Sequence, residues 1–155
     1  MNSNNSAHPN LPESAIRLVF LFKNQMLKAL ASSGVELSVM HVQTLKVLER
    51  CGPSTHAELV DVLLRDKAQV TRLVQTLAQR SIVQKRPHPT DKRSVVLELT
   101  TEGRRLLETI AETEQAVVER MTAGLTAEEV HQFDQLAARM QDNLAGEGMS
   151  SCIWE

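Results

Sequence analysis

Two groups of side chains carry the types that read a polyanionic double helix. The first is Lys67, Gln69, Thr71, Arg72 and Gln75, spaced to lie on the solvent side of one short helix. An arginine fork matches the paired acceptors of guanine, and glutamine matches adenine. Threonine donates to or packs against base edges, while a lysine at a helix start favours phosphate. The second group is Arg86, His88, Asp91, Lys92 and Arg93, carried by a segment with prolines at 87 and 89. A narrow minor groove has an enhanced negative potential that attracts an inserted arginine. Asp91, two residues before Arg93, either orients that arginine through a charge-assisted hydrogen bond or simply begins a surface turn. Each helix position also has the plainer reading of a solvated side chain.

Charge is distributed to suit such a partner. The whole chain carries −2, yet Arg65 to Arg93 holds eight basic and two acidic residues, so the window is at +6 and the remainder at −8. A local basic footprint on an otherwise acidic chain is what nucleic-acid binding needs. From Glu98 onward there are twelve acidic and four basic residues. Those flanks should lie away from the polyanion, packed on one another or on a second copy. With only four aromatic residues among 155, stacking of single-stranded bases is a poor expectation.

Other chemistries find little support. The chain has no glycine-rich phosphate loop, no nucleophile elbow and no recognisable pair of catalytic carboxylates, so it reads as a non-enzyme. The five histidines have no compact ligand spacing, which argues against a metal and against a resident cofactor. Cys51 and Cys152 build neither a disulfide framework nor a zinc cluster, and a reducing cytoplasm follows. Cys51 follows Arg50 at a helix C-terminus, where the dipole does not lower a thiol pKa, so it reads as a quiet residue. No signal peptide or membrane span is expected, because the longest wholly apolar run is Leu18 to Phe22.

The elements that must position the two groups follow from periodicity and caps. A helix over 12–32 is apolar on more than one face, as if it had two surfaces to cover. Ser38 caps a helix over 39–51 that Gly52 closes. Thr55 with Glu58 opens a helix to about 64, and Asp66 with Gln69 opens the next, over 67–80. Val70, Leu73, Val74 and Leu77 form its inner stripe. Two short helices so closely spaced suggest a helix-turn-helix. The period then changes to extended segments at 82–86 and 94–99, a hairpin with a long basic tip. Thr100 caps a helix to about 123, and Thr126 with Glu129 opens a last one ending near 146. The fold class is therefore mainly α with a small β-hairpin wing.

The order Val70-Thr71-Arg72-Leu73-Val74, Leu77, Ile82-Val83, Lys85-Arg86-Pro87, Asp91-Lys92-Arg93 and Leu99-Thr100-x-x-Gly103 resembles the MarR family of winged helix-turn-helix regulators. The resemblance spans about 12–145. It implies one regulator domain over 1–155, with a winged-helix lobe at 38–100 and dimerisation helices at 12–32 and 101–145. It implies a homodimer on palindromic double-stranded DNA, 67–80 as the recognition helix, and Arg93 at the wing tip supported by Asp91. Release by a small aromatic or phenolic effector is its commoner mode of control. Cysteine oxidation is the alternative, and reuse of the basic module for protein or RNA binding is another. His41 is a candidate lining residue for a cavity beside the first helix. This chain departs from the family at Ser81, where glycine is usual, and at Lys85 and Lys92, where arginine is frequent. A positive φ at Ser81 would cost about 1 kcal/mol relative to glycine.

Overall fold

The computed structural model describes residues 10–91 and 93–144. Nine elements follow in order: α1 (Leu11–Ser32), α2 (Val39–Cys51), β1 (Ser54–Thr55), α3 (His56–Leu63), α4 (Lys67–Gln79), β2 (Val83–Pro87), β3 (Val95–Leu99), α5 (Thr101–Met121) and α6 (Ala127–Leu144). The helix starts match the capping chemistry. Ser38, Thr55, Asp66 and Thr100 each accept from the backbone N–H three residues on, and Thr126 does the same for Glu129. Glu58 and Glu129 return the bond to the backbone N–H of their capping threonines. Helix α5 ends at Met121, just short of the expected end near 123, and the chain turns away at Gly124, whose φ of +85° is left-handed.

The hairpin is part of a three-stranded antiparallel sheet in the order β1-β3-β2. Sequence periodicity indicated two strands; the two-residue β1 pairs Ser54 with Leu97 and Thr55 with Val96. Strand β3 is thereby central, and β2 is an edge, where Pro87 removes no needed ladder donor.

A single core joins the elements. Leu45, Leu59, Val70, Leu77 and Ile110 are fully buried, with Leu30 reaching in from α1 and Leu97 and Leu99 from β3. Helix α1 packs against α5, whereas α6 buries none of its residues. Ile16, Val19 and Phe20 on α1 and Phe133, Leu136, Met140 and Leu144 on α6 stay exposed. Among the described residues, no helix is long and apolar enough to cross a membrane.

The join between α4 and the wing is tightly built. Ser81 N–H donates to the Ala78 carbonyl and Ile82 N–H to that of Leu77, closing α4 in a Schellman motif. That closure needs Ser81 in the left-handed region, at φ +57°, so the expected strain of about 1 kcal/mol is present. Thr100 then donates its hydroxyl to the Ser81 carbonyl at 2.6 Å and its backbone N–H to the Ile82 carbonyl oxygen. A Cβ on Gly103 would lie 2.3 Å from that same oxygen. Glycine is required there so that the first turn of α5 can seat against the start of the wing.

Candidate nucleic-acid interface

Helix α4 presents Lys67, Gln69, Arg72 and Gln75 to solvent while Val70, Val74 and Leu77 are buried. Asp66 Oδ1 accepts from Gln69 N–H at 2.9 Å, which fixes the helix start from which these side chains project. Thr71 is half-buried. Its hydroxyl oxygen lies 2.7 Å from the Lys67 carbonyl and 3.0 Å from His56 Nε2. An open groove of about 540 Å³ runs between the start of α2 and α4, lined by Ser38, Met40, His41, Arg65, Gln69 and Arg72 among others.

His41 belongs to this groove, not to a cavity beside α1 as sequence position suggested. Its ring serves the start of α2: Nδ1 accepts the Ser38 backbone N–H at 3.1 Å, completing a capping box. Burial, helped by the positive charge of Arg80, holds its pKa below 6.5. Arg80 itself donates to the Glu36 carbonyl at 2.7 Å and so ties the end of α4 to the segment before α2.

The wing tip is organised by its own polar groups. Asp91 Oδ1 accepts the backbone N–H of Arg93 at 3.0 Å. That bond, joined by the Ser94 side chain, holds the Asp91 carboxyl below its ordinary range. Support of the Arg93 guanidinium by Asp91 is thus corrected: the carboxylate shapes the turn. Among the described residues the Arg93 side chain makes no ion pair. His88 Nδ1 accepts from the backbone N–H groups of Thr90 and Asp91, so His88 too is first a loop-former. Arg86 pairs through Nε with Glu98 at 2.7 Å, across the β2–β3 ladder, and its side chain remains 62% exposed. Its terminal nitrogens stay accessible beyond that pair. Lys85 is exposed; Lys92 lies outside the described residues.

Sequence reasoning missed the role of His56, because its partner Thr71 is on the next helix and no periodicity links them. It also missed Arg65, whose place in the groove depends on the α3–α4 turn. That turn puts Leu64 at φ +50°.

On the opposite side of α2 lies a cavity of about 530 Å³. Phe22, Met26 and Leu30 of α1 and Val42 and Val47 of α2 form much of its apolar wall. Lys46 of α2, paired with Glu114 of α5, brings an ion pair to its lining. Cys51, half-buried at the end of α2, is disulfide-bonded, which replaces the reading of it as a quiet thiol. Cys152 lies outside the described residues. Among the described residues no group of three His, Cys, Asp or Glu side chains is placed to hold a metal ion.

Known proteins share both the sequence pattern and the geometry. Residues 35–94 match the sequence model of the MarR family. The HTH-type transcriptional repressor NicR of Pseudomonas putida is 32% identical over 108 residues, 70% of this chain and 68% of NicR. Apo wild-type MarR from Escherichia coli superposes with a TM-score of 0.70 at 27% identity, covering 83% of this chain and 95% of that one. A cysteine-to-serine mutant of E. coli MarR complexed with operator DNA gives 0.65 at 26% identity, over 84% and 96% of the two chains. The capped α3–α4 pair, the basic hairpin and these likenesses lead to one assignment: the chain belongs to the MarR family of winged-helix transcriptional regulators.

Proposed function

We propose that the chain is a homodimeric, cytoplasmic repressor, and not an enzyme, which binds a palindromic operator and is released by a small aromatic or phenolic anion. The observation that carries the DNA reading is the exposed row Lys67, Gln69, Arg72 and Gln75 on a helix that runs straight into a basic hairpin. In this reading α4 enters the major groove. Arg72, Gln75, Gln69 and Thr71 meet base edges, and Lys67 meets phosphate. Arg93 reaches the minor groove, Arg86 and Lys92 add positive charge to the same hairpin, and His88 and Asp91 hold the loop that aims Arg93. The NicR name and the operator complex of the E. coli protein support the same role.

The homodimer is supported by α6, an 18-residue amphipathic helix with no buried residue, and by the apolar face left on α1. A second copy covers both, and two-fold symmetry then pairs the recognition helices. Release is supported by the cavity between α1, α2 and α5. A ring fits its apolar wall, and a phenolate or carboxylate on that ring competes with Glu114 for Lys46. That ion pair ties the reading lobe to α5, so breaking it alters how the two lobes of a dimer are held. A thiol trigger is the second reading, favoured by the disulfide at Cys51. Equal operator affinity before and after reduction would remove it.

The test is enrichment of bound duplexes from a random pool, repeated with salicylate-like phenolic acids. The expected result is one inverted repeat, lost when the effector is added. Arg72→Ala should erase preference at one position of each half-site, and Arg93→Ala should weaken binding most where the flanks are A·T-rich. Equal affinity for all duplexes would overturn the reading.

A further inference from the structure

His56 opens α3 and reaches across to Thr71 on α4, and the hydrogen-bond geometry between them has one consistent solution. A hydroxyl has one hydrogen and two lone pairs. Thr71 Oγ1 is 2.7 Å from the Lys67 carbonyl oxygen, which can only accept. Two oxygens that close repel unless a hydrogen lies between them, so the Thr71 hydrogen is directed at Lys67. His56 Nε2, 3.0 Å from the same Thr71 oxygen, must then be the donor. One lone pair remains on Thr71, and no hydrogen. A helical threonine ordinarily divides between two χ1 rotamers, exchanging its hydroxyl and methyl. The His56 bond selects one of them.

We propose that His56 is a positioning residue that makes Thr71 an obligate hydrogen-bond acceptor in the DNA interface. Thr71 then reads an exocyclic amine, adenine N6 or cytosine N4. It has no hydrogen for a phosphate oxygen or for guanine O6 or N7. This rests on the proposal that α4 lies in the major groove, and it adds which chemical class of base edge one of its residues accepts. The signal depends on the histidine at the start of α3; a side chain there without a donor would leave Thr71 free to rotate and to present either its hydroxyl hydrogen or its methyl.

Duplex enrichment with the native protein and with His56→Ala, His56→Gln, Thr71→Val and the double variant His56→Ala/Thr71→Val tests it. The base position read by Thr71 is the one whose preference Thr71→Val erases. The native protein should prefer one base pair there by about fivefold, the worth of one neutral hydrogen bond, and that preference should depend on the exocyclic amine of its adenine or cytosine. His56→Ala should reduce that preference to within about twofold and leave the other positions unchanged. His56→Gln, which retains a donating nitrogen, should restore it, and His56→Ala should add nothing in the Thr71→Val background. Unchanged affinity when the adenine or cytosine of that base pair is replaced by its analogue lacking the exocyclic amine overturns the proposal, as does an unchanged preference in His56→Ala. A loss spread evenly over all positions, with a lower melting temperature, assigns His56 to folding alone and overturns it equally. If the native protein enriches no sequence, the placement of α4 in the groove fails first. If it enriches a repeat whose readout ignores His56, only this inference fails.

Discussion

The central lobe from α2 to β3 and the outer helices α1 and α6 solve opposite problems with similar amphipathic segments. In the lobe, each apolar stripe meets another from the same chain: Val70, Val74 and Leu77 of α4 close onto Leu45, Leu59 and Leu97. On α6 the equivalent stripe has no buried residue, and Phe133 and Leu136 are each more than half exposed. Exposed apolar area of that kind is costly in a monomer and ordinary in a subunit. The lobe is finished by its own sequence; the outer helices leave apolar faces for the proposed second copy to cover. The basic face attracts DNA, whereas an apolar one invites a like partner, so the contrast also separates the reading surface from the holding surface.

The strongest way to break this comparison is to spoil the α6 stripe. The double variant Phe133→Glu/Leu136→Glu should give a monomer by sedimentation at micromolar concentration, with operator affinity down by more than about 100-fold from loss of the paired half-sites. Its lobe should still unfold cooperatively, because neither residue belongs to the buried core. A dimer that survives these charges would place the interface elsewhere.

Next in size is a substitution at the seam between the two regions. Gly103→Ala puts a methyl 2.3 Å from the Ile82 carbonyl oxygen, which already accepts from Thr100. The backbone must shift and loosen those bonds, and a destabilisation of about 2–3 kcal/mol is expected by chemical denaturation. If the lobe and α5 behave as one cooperative unit, dimer affinity and lobe stability fall together. If denaturation resolves two transitions, the seam is weaker than its geometry indicates.

The same contrast explains what could be read in the sequence. Helix starts were legible because a cap is local: Thr55 and Glu58, or Thr126 and Glu129, contain both partners of the bond within four residues. The face of α4 was legible because its period is unbroken. The two-residue β1 was not, since Ser54 and Thr55 become a strand only when β3 arrives from forty residues away. His56 was overlooked for the same reason. Asp91 illustrates a different limit. Its spacing to Arg93 was visible, but the choice between side chain and backbone as its partner is set by the turn, where the carboxylate oxygen already faces the Arg93 N–H. On α6 the stripe was visible and what covers it was not, because a surface for another chain leaves no local mark.

The smallest effect tests whether the lobe's stability is its own. His41 in the fold is held below the unfolded value of 6.5 by burial and by Arg80, and the groove it lines adds Arg65 and Arg72. As pH falls below about 6.5 the unfolded chain takes up the proton first, so the neutral ring's contribution is complete above that pH and is lost as pH falls through the depressed folded value. Stability should therefore decline between pH 7.5 and 5.5, above the range where carboxylates titrate. His41→Gln keeps an acceptor for the Ser38 N–H and has no proton to gain, so its profile should be flatter over that window. The difference between the two profiles isolates His41 from His56, His88 and His131. Measured in the Phe133→Glu/Leu136→Glu background, it should be unchanged, since every group that shifts His41 lies within or against the lobe. A difference that vanishes with the dimer would mean that the assembly, not the lobe, sets the environment at the start of α2.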